Sequence, residues 1–167
     1  MDKHDFRIQF PLWNIALLSI LMIWCYSVVY AADMLFNDFE GTILPNGEIH
    51  WNIFGLISFF VGFVLLIVFF VAYFLKLHRY NKEHPNNRLT AFTSMKPHEI
   101  LEDDELFQQV SEKATKKVYI FYSNYLPLVI LLMAFPLHRF VFIFVILLLL
   151  IIQNAIYYRH LRQYVMN

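Results

Sequence analysis

The sequence predicts an all-α integral membrane protein. Four transmembrane helices form two antiparallel hairpins, joined by a cytoplasmic linker that carries an amphipathic helix. Three observations predict this. Of the 167 residues, 59% are hydrophobic and only 16% charged, against about 45–50% and about 25% in a soluble domain. The apolar residues gather into four runs near the ~20 residues that a helix needs to cross a hydrocarbon core of roughly 30 Å. Basic residues fall almost wholly on one side of those runs. The mean hydropathy of +0.52, with 18 Phe and 10 Tyr, excludes a disordered chain as well as an ordinary soluble one.

Span one covers residues 12–32 and is interrupted only by Asn14, Ser19, Cys25 and Ser27. Its basic start (Lys3, Arg7) and the stretch Val29-Tyr30-Ala31-Ala32 resemble a signal peptide with a cleavage site. The apolar run is long enough to cross a bilayer, so it reads as a retained helix. Span two covers 53–77, with Ser58 and Lys76 as its polar members. Span three covers 118–135 and contains Pro127, which removes a backbone donor and predicts a kink. Span four covers 140–158, with four successive leucines, Leu147 to Leu150, at its centre. No span holds an Asp or Glu. Backbone groups in lipid must pair internally, which dictates helices, and the alternation of a membrane barrel is absent.

Basic residues set the orientation. Of the 13 Lys and Arg, all except Arg139 lie in the N-terminal tail, in the segment 78–117 with its flank at Lys76, or after span four. Both termini and the linker 78–117 are therefore expected in the cytoplasm, and the loop 33–52 outside. The expected location is a plasma membrane, of the bacterial inner-membrane type.

In the outer loop, Gly41–Leu44 and Glu48–Trp51 flank Pro45-Asn46-Gly47 and read as a small β-hairpin. In the linker, His84-Pro85-Asn86-Asn87 reads as a turn. From Pro97 onward, Ile100, Leu101, Phe107, Val110 and Ala114 recur at helical spacing. Acidic residues lead and Lys113, Lys116 and Lys117 follow, which complements the helix dipole. This segment is expected to lie on the membrane or pack under the bundle before turning into span three. Its three lysines are placed against the inner leaflet. The aromatic-then-basic ends of spans two and four resemble one another, which is the border any inward helix end acquires rather than a duplication.

Four groups of residues bear on function. Asn14, Asn124, Gln153 and Asn154 fall at similar depth from the cytoplasmic ends of their spans and are expected to form one polar cluster. Such amides serve either as interhelical glue or as the lining of a polar cavity, and glue is the commoner use. Gly55, Ser58 and Gly62 share a face of span two and predict close helix packing. Asp33, Asp38, Glu40 and Glu48 give the outer loop an acidic surface that could attract a cationic peptide or a divalent cation, although a solvated loop that only obeys the charge-sorting rule is the commoner case. The tyrosines at 119, 122, 125, 157 and 158 read as an inner aromatic belt.

Other chemistries find no support. Cys25 is the only cysteine, so neither a disulfide framework nor a dithiol redox centre can form. The histidines show no ligand spacing, so no metal and no cofactor is expected. Equal acidic and basic counts, 13 each, give no basic field for nucleic acid. The spans hold no ionisable residue at their core, which argues against a coupled transporter. The expected partners are membrane lipid and either further copies of the chain or another membrane protein. The preferred function is a non-enzymatic accessory or regulatory subunit, or a self-protection protein against a membrane-active peptide. A small oligomeric channel or transporter comes second, and a membrane-embedded enzyme third.

Overall fold

The computed structural model describes residues 6–36, 52–85, 88–90 and 105–166. Four helices account for nearly all of them: α1 (Phe6–Phe36), α2 (Ile53–Glu83), α3 (Glu105–Leu132) and α4 (Arg139–Met166). No strand occurs among the described residues. The expected hairpin in the loop 33–52, and the start of the linker helix near Pro97, lie outside the described residues. Three helices are long and apolar enough to cross a membrane: α1 from Ile8, α2, and α4 as far as Gln163.

The helices pack as an open row. α1 touches both α2 and α4, and α3 packs mainly on α4. Contacts along α1 fix the directions. Asn52 at the start of α2 meets Tyr26, while Lys76 near its end meets Gln9. Phe140 at the start of α4 meets Tyr26, while Leu161 near its end clusters with Ile8. Both neighbours therefore run opposite to α1. α3 in turn opposes α4, because Ser111 meets Tyr157 and Tyr122 meets Gln153.

All four helices depart from the boundaries read in the sequence: α2 runs on to Glu83 and α4 to Met166, and α1 and α3 differ at their starts as well. α1 starts at Phe6 and carries Pro11 inside it. The proline lacks the N–H that would bond the Arg7 carbonyl, but it is fully buried beside Phe10. α3 is continuous from Glu105 to Leu132, so the amphipathic segment does not turn into the apolar one but is its first half. Val110 and Ala114 on that half are buried, and Val110 packs with Ile8 and Leu161. Span three also ends early. After Leu132, Ala134 and Phe135 donate to carbonyls three residues back, at 3.1 and 3.2 Å, a tightened last turn. The apolar part of the helix, Val118 to Leu132, is then about 22 Å long at ~1.5 Å per residue, short of a full hydrocarbon core.

Aromatic residues cement α1 to α2 at the end that carries the basic residues. Phe6 packs against Phe10, Tyr73 and Tyr80, and Trp13 against Phe69 and Tyr73, with centroids 4.9–5.9 Å apart. Such pairs contribute about 0.5–1.5 kcal/mol each beyond their area. Asn81 holds the chain that leaves α2. Its amide donates to the Leu89 carbonyl and accepts from the Leu89 N–H, both at 2.8 Å, which folds Leu89 back onto the aromatic cluster.

Candidate functional site

The polar side chains of the long helices converge on α1 and α4. Asn14 on α1 donates to Asn154 on α4 across 3.4 Å, and Asn154 donates back to the Leu150 carbonyl at 2.8 Å. One residue away, Gln153 accepts from the Tyr122 hydroxyl at 2.6 Å. Closer to the basic end, Ser111 and Tyr157 share a hydrogen bond of 2.7 Å. The structure thus pairs Asn14 with Asn154, while Gln153 turns to Tyr122 on α3 instead. Asn124 is exposed on α3 and takes no part in these contacts. Tyr122 and Tyr157, belt residues by sequence, both face a helix neighbour. Tyr157 sits at helical spacing from Gln153 and Asn154, a signal present in the sequence, whereas Tyr122 has only Val118, Tyr119, Tyr125 and Leu126 at that spacing and gave none. These bonds join α1 to α4 and α4 to α3, so the amides act between helices.

Gly55, Ser58 and Gly62 all face α1. Ser58 Oγ donates to the Ile23 carbonyl at 2.7 Å. A Cβ on Gly62 would lie 2.6 Å from Trp24 Cδ1 and 2.9 Å from Trp24 Cβ. At Gly55 the nearest neighbour would be Tyr30 Cδ1, at 3.3 Å. The bare backbone at Gly62 is what allows the indole to lie against α2.

At the end opposite the basic residues, Asp33 lies 3.0 Å from the Arg139 guanidinium and 3.8 Å from His138. The contact with Arg139 is ionic rather than a well-aligned hydrogen bond, since Asp33 Oδ1 has no hydrogen-bond partner. Arg139 is the one basic residue that breaks the charge sorting, and a carboxylate from α1 stands beside it. His138 accepts the Phe140 N–H at 3.2 Å and so caps α4. Asp38, Glu40 and Glu48 lie outside the described residues. Lys113, Lys116 and Lys117 are exposed near the middle of α3.

No group of three or more His, Cys, Asp or Glu side chains is placed to hold a metal ion among the described residues. His84, at the end of α2, stacks on Tyr80 with centroids 4.4 Å apart. No protein-family model matches the chain, and no curated protein and no solved structure matches it.

Proposed function

We propose that the chain is an integral membrane protein that crosses the bilayer four times as two antiparallel hairpins, with both termini in the cytoplasm. It works without catalysis, as an accessory or regulatory subunit in contact with another membrane protein. The supporting observation is how the polar groups of the spans are used. Asn14, Asn154, Gln153, Tyr122 and Ser58 all engage a second helix, so they hold the row together instead of lining a passage. The Asp33–Arg139 pair supports the orientation, because the one basic residue on the outer side has its charge balanced there. α3 crosses with a shorter apolar stretch, which tilt or local thinning of the bilayer accommodates at modest cost.

The open row gives the partner somewhere to bind. On α2, Ile57, Phe60, Val64, Val68, Val71 and Leu75 are each more than half exposed and recur at three- and four-residue spacing, one continuous stripe. Its small-residue face is already taken by α1. Asp33, the described member of the outer acidic surface, is paired with Arg139, which favours the accessory role over capture of a cationic peptide. The test is affinity purification from native membranes into lipid nanodiscs, followed by mass spectrometry. A partner present in fixed ratio, and lost when Val64 and Val68 are both changed to Trp, supports the reading. Repeated recovery of the chain alone would refute it, and flux of an ion or small solute through purified protein in liposomes would replace it with the channel reading.

A further inference from the structure

We infer that the cleft between α1 and α2 at the Asp33 end binds the ester-carbonyl region of a membrane glycerolipid. The inference rests on the membrane reading above. The cleft measures about 140 Å³, and its walls include Ser27 and Ala31 from α1 and Asn52, Gly55, Leu56 and Phe59 from α2. They are almost wholly apolar.

Ser27 is the exception. It is 4% exposed, and its Oγ has no hydrogen-bond partner. A serine inside a helix ordinarily returns its hydroxyl to the carbonyl four residues back. Here that carbonyl belongs to Ile23. It already takes the helical N–H of Ser27, and it also accepts Ser58 Oγ from α2 at 2.7 Å. A carbonyl oxygen has two lone pairs, so both are occupied. Close packing of α2 on α1 thus displaces the Ser27 hydroxyl from its usual acceptor and leaves a donor in an apolar wall, an arrangement that is costly unless an acceptor arrives.

Two other wall residues carry polar groups, Tyr30, whose ring edge lies beside Gly55, and Asn52, and the second narrows the ligand class. Asn52 caps α2 by accepting the Gly55 N–H at 3.0 Å, and its amide donates to the Tyr26 hydroxyl, also at 3.0 Å. Asn52 is therefore already engaged through both ends of its amide. No cationic side chain lines the cleft, so a phosphate or carboxylate would enter without a counter-charge. The chemistry fits a neutral acceptor on an apolar body. Depth fits the same group. Ser27 lies about 9 Å along α1 from Asp33 at ~1.5 Å per residue. The Asp33–Arg139 pair marks the polar boundary, and the acyl ester carbonyls of a bilayer lie just beneath it.

The full chain is reconstituted in liposomes of phosphatidylcholine and phosphatidylglycerol that contain a small fraction of phosphatidylcholine with a diazirine close to the ester. Cross-links are mapped by peptide mass spectrometry. The expected result is labelling of residues 27–34 and 52–59 several-fold above the average over the exposed apolar surface. Ala31→Phe, which fills the cleft from an exposed position, abolishes the excess. Ser27→Ala lowers it between about two- and tenfold, the range that a neutral hydrogen bond gives. An ether-linked probe without the carbonyl labels the wild type no better than the ester probe labels Ser27→Ala. Even labelling of the whole apolar surface, or an excess that survives Ala31→Phe, overturns the lipid site and leaves the membrane reading intact. Failure of the chain to float with the liposomes overturns both.

Discussion

Gly62→Ala should loosen the seam between α1 and α2 far more than Gly55→Ala. At Gly62 the new methyl would sit 2.6 Å from Trp24 Cδ1, 2.7 Å from Cγ and 2.9 Å from Cβ. Turning the indole about χ1 cannot relieve the last contact, because Cβ is fixed to the α1 backbone. With the ring turned away, the helices must still part by about 0.7 Å to bring the 2.9 Å contact to ordinary distance near ~3.6 Å. That movement stretches the bond from Ser58 Oγ to the Ile23 carbonyl, now 2.7 Å, to roughly 3.4 Å, a much weakened hydrogen bond. Overpacking costs about 1–3 kcal/mol and weakening of the interhelical bond up to ~0.6 kcal/mol. The better helix propensity of alanine returns up to about 1 kcal/mol, so the net loss is about 1–3 kcal/mol. At Gly55 the neighbour is the edge of the Tyr30 ring at 3.3 Å, which gives by a few tenths of an ångström, and the change should be near neutral. Unfolding in mixed micelles by titration with sodium dodecyl sulfate, read by tryptophan fluorescence and circular dichroism, measures both. Trp24→Gly, which removes the fixed Cβ together with the ring, should suppress most of the Gly62→Ala penalty, a coupling of at least ~1 kcal/mol, whereas Trp24→Ala keeps the 2.9 Å contact and relieves only the part due to the ring. Equal behaviour of the two glycine variants, or additivity with Trp24→Gly, would refute the packing argument.

Three further outcomes follow from the same contacts. In the same unfolding assay, Tyr122→Phe should be more costly than Asn124→Leu, which changes an exposed side chain and should shift stability by less than ~0.5 kcal/mol. The reverse order would mean that Asn124 faces another helix. Tyr157→Phe leaves the Ser111 hydroxyl, in a residue only 1% exposed, without its partner and should cost about 1–3 kcal/mol. Adding Ser111→Ala should recover part of that loss, and no recovery would show that the pair is not coupled. Asp33→Asn should cost no more than ~1 kcal/mol, because the pair is partly exposed, and the cost should shrink in high salt. A larger, salt-independent loss would mean that Asp33 does something other than balance Arg139.

The apolar centres of the long helices were legible because they follow from composition, while their ends were not. A run such as 53–77 can hardly be anything but a helix in an apolar setting. The register of the amides was partly legible as well, since depth counted along α1 and α4 pairs Asn14 with Asn154. Azimuth was not. Asn124 and Tyr122 are two residues apart, so they point to different sides of α3, and only the position of α4 decides which one is covered. The fusion of the linker helix with span three was also hidden. The change from Lys116-Lys117 to Val118 looks like a boundary, but it changes what surrounds the helix and breaks no backbone bond. Lateral order was the least legible. Segments 53–83 and 105–132 are joined by the linker, yet they end on opposite flanks of the row, because α1 and α4 present the matched polar groups that bring them together.

The central place of α1 has a consequence for biogenesis. α2 follows this helix in the chain and can dock on it as soon as it is made. The other flank, with Ile8, Asn14 and Asp33, waits for Leu161, Asn154 and Arg139, which are made only after α2, the linker and α3. Until then the nascent chain holds a half-covered helix whose asparagine has no mate.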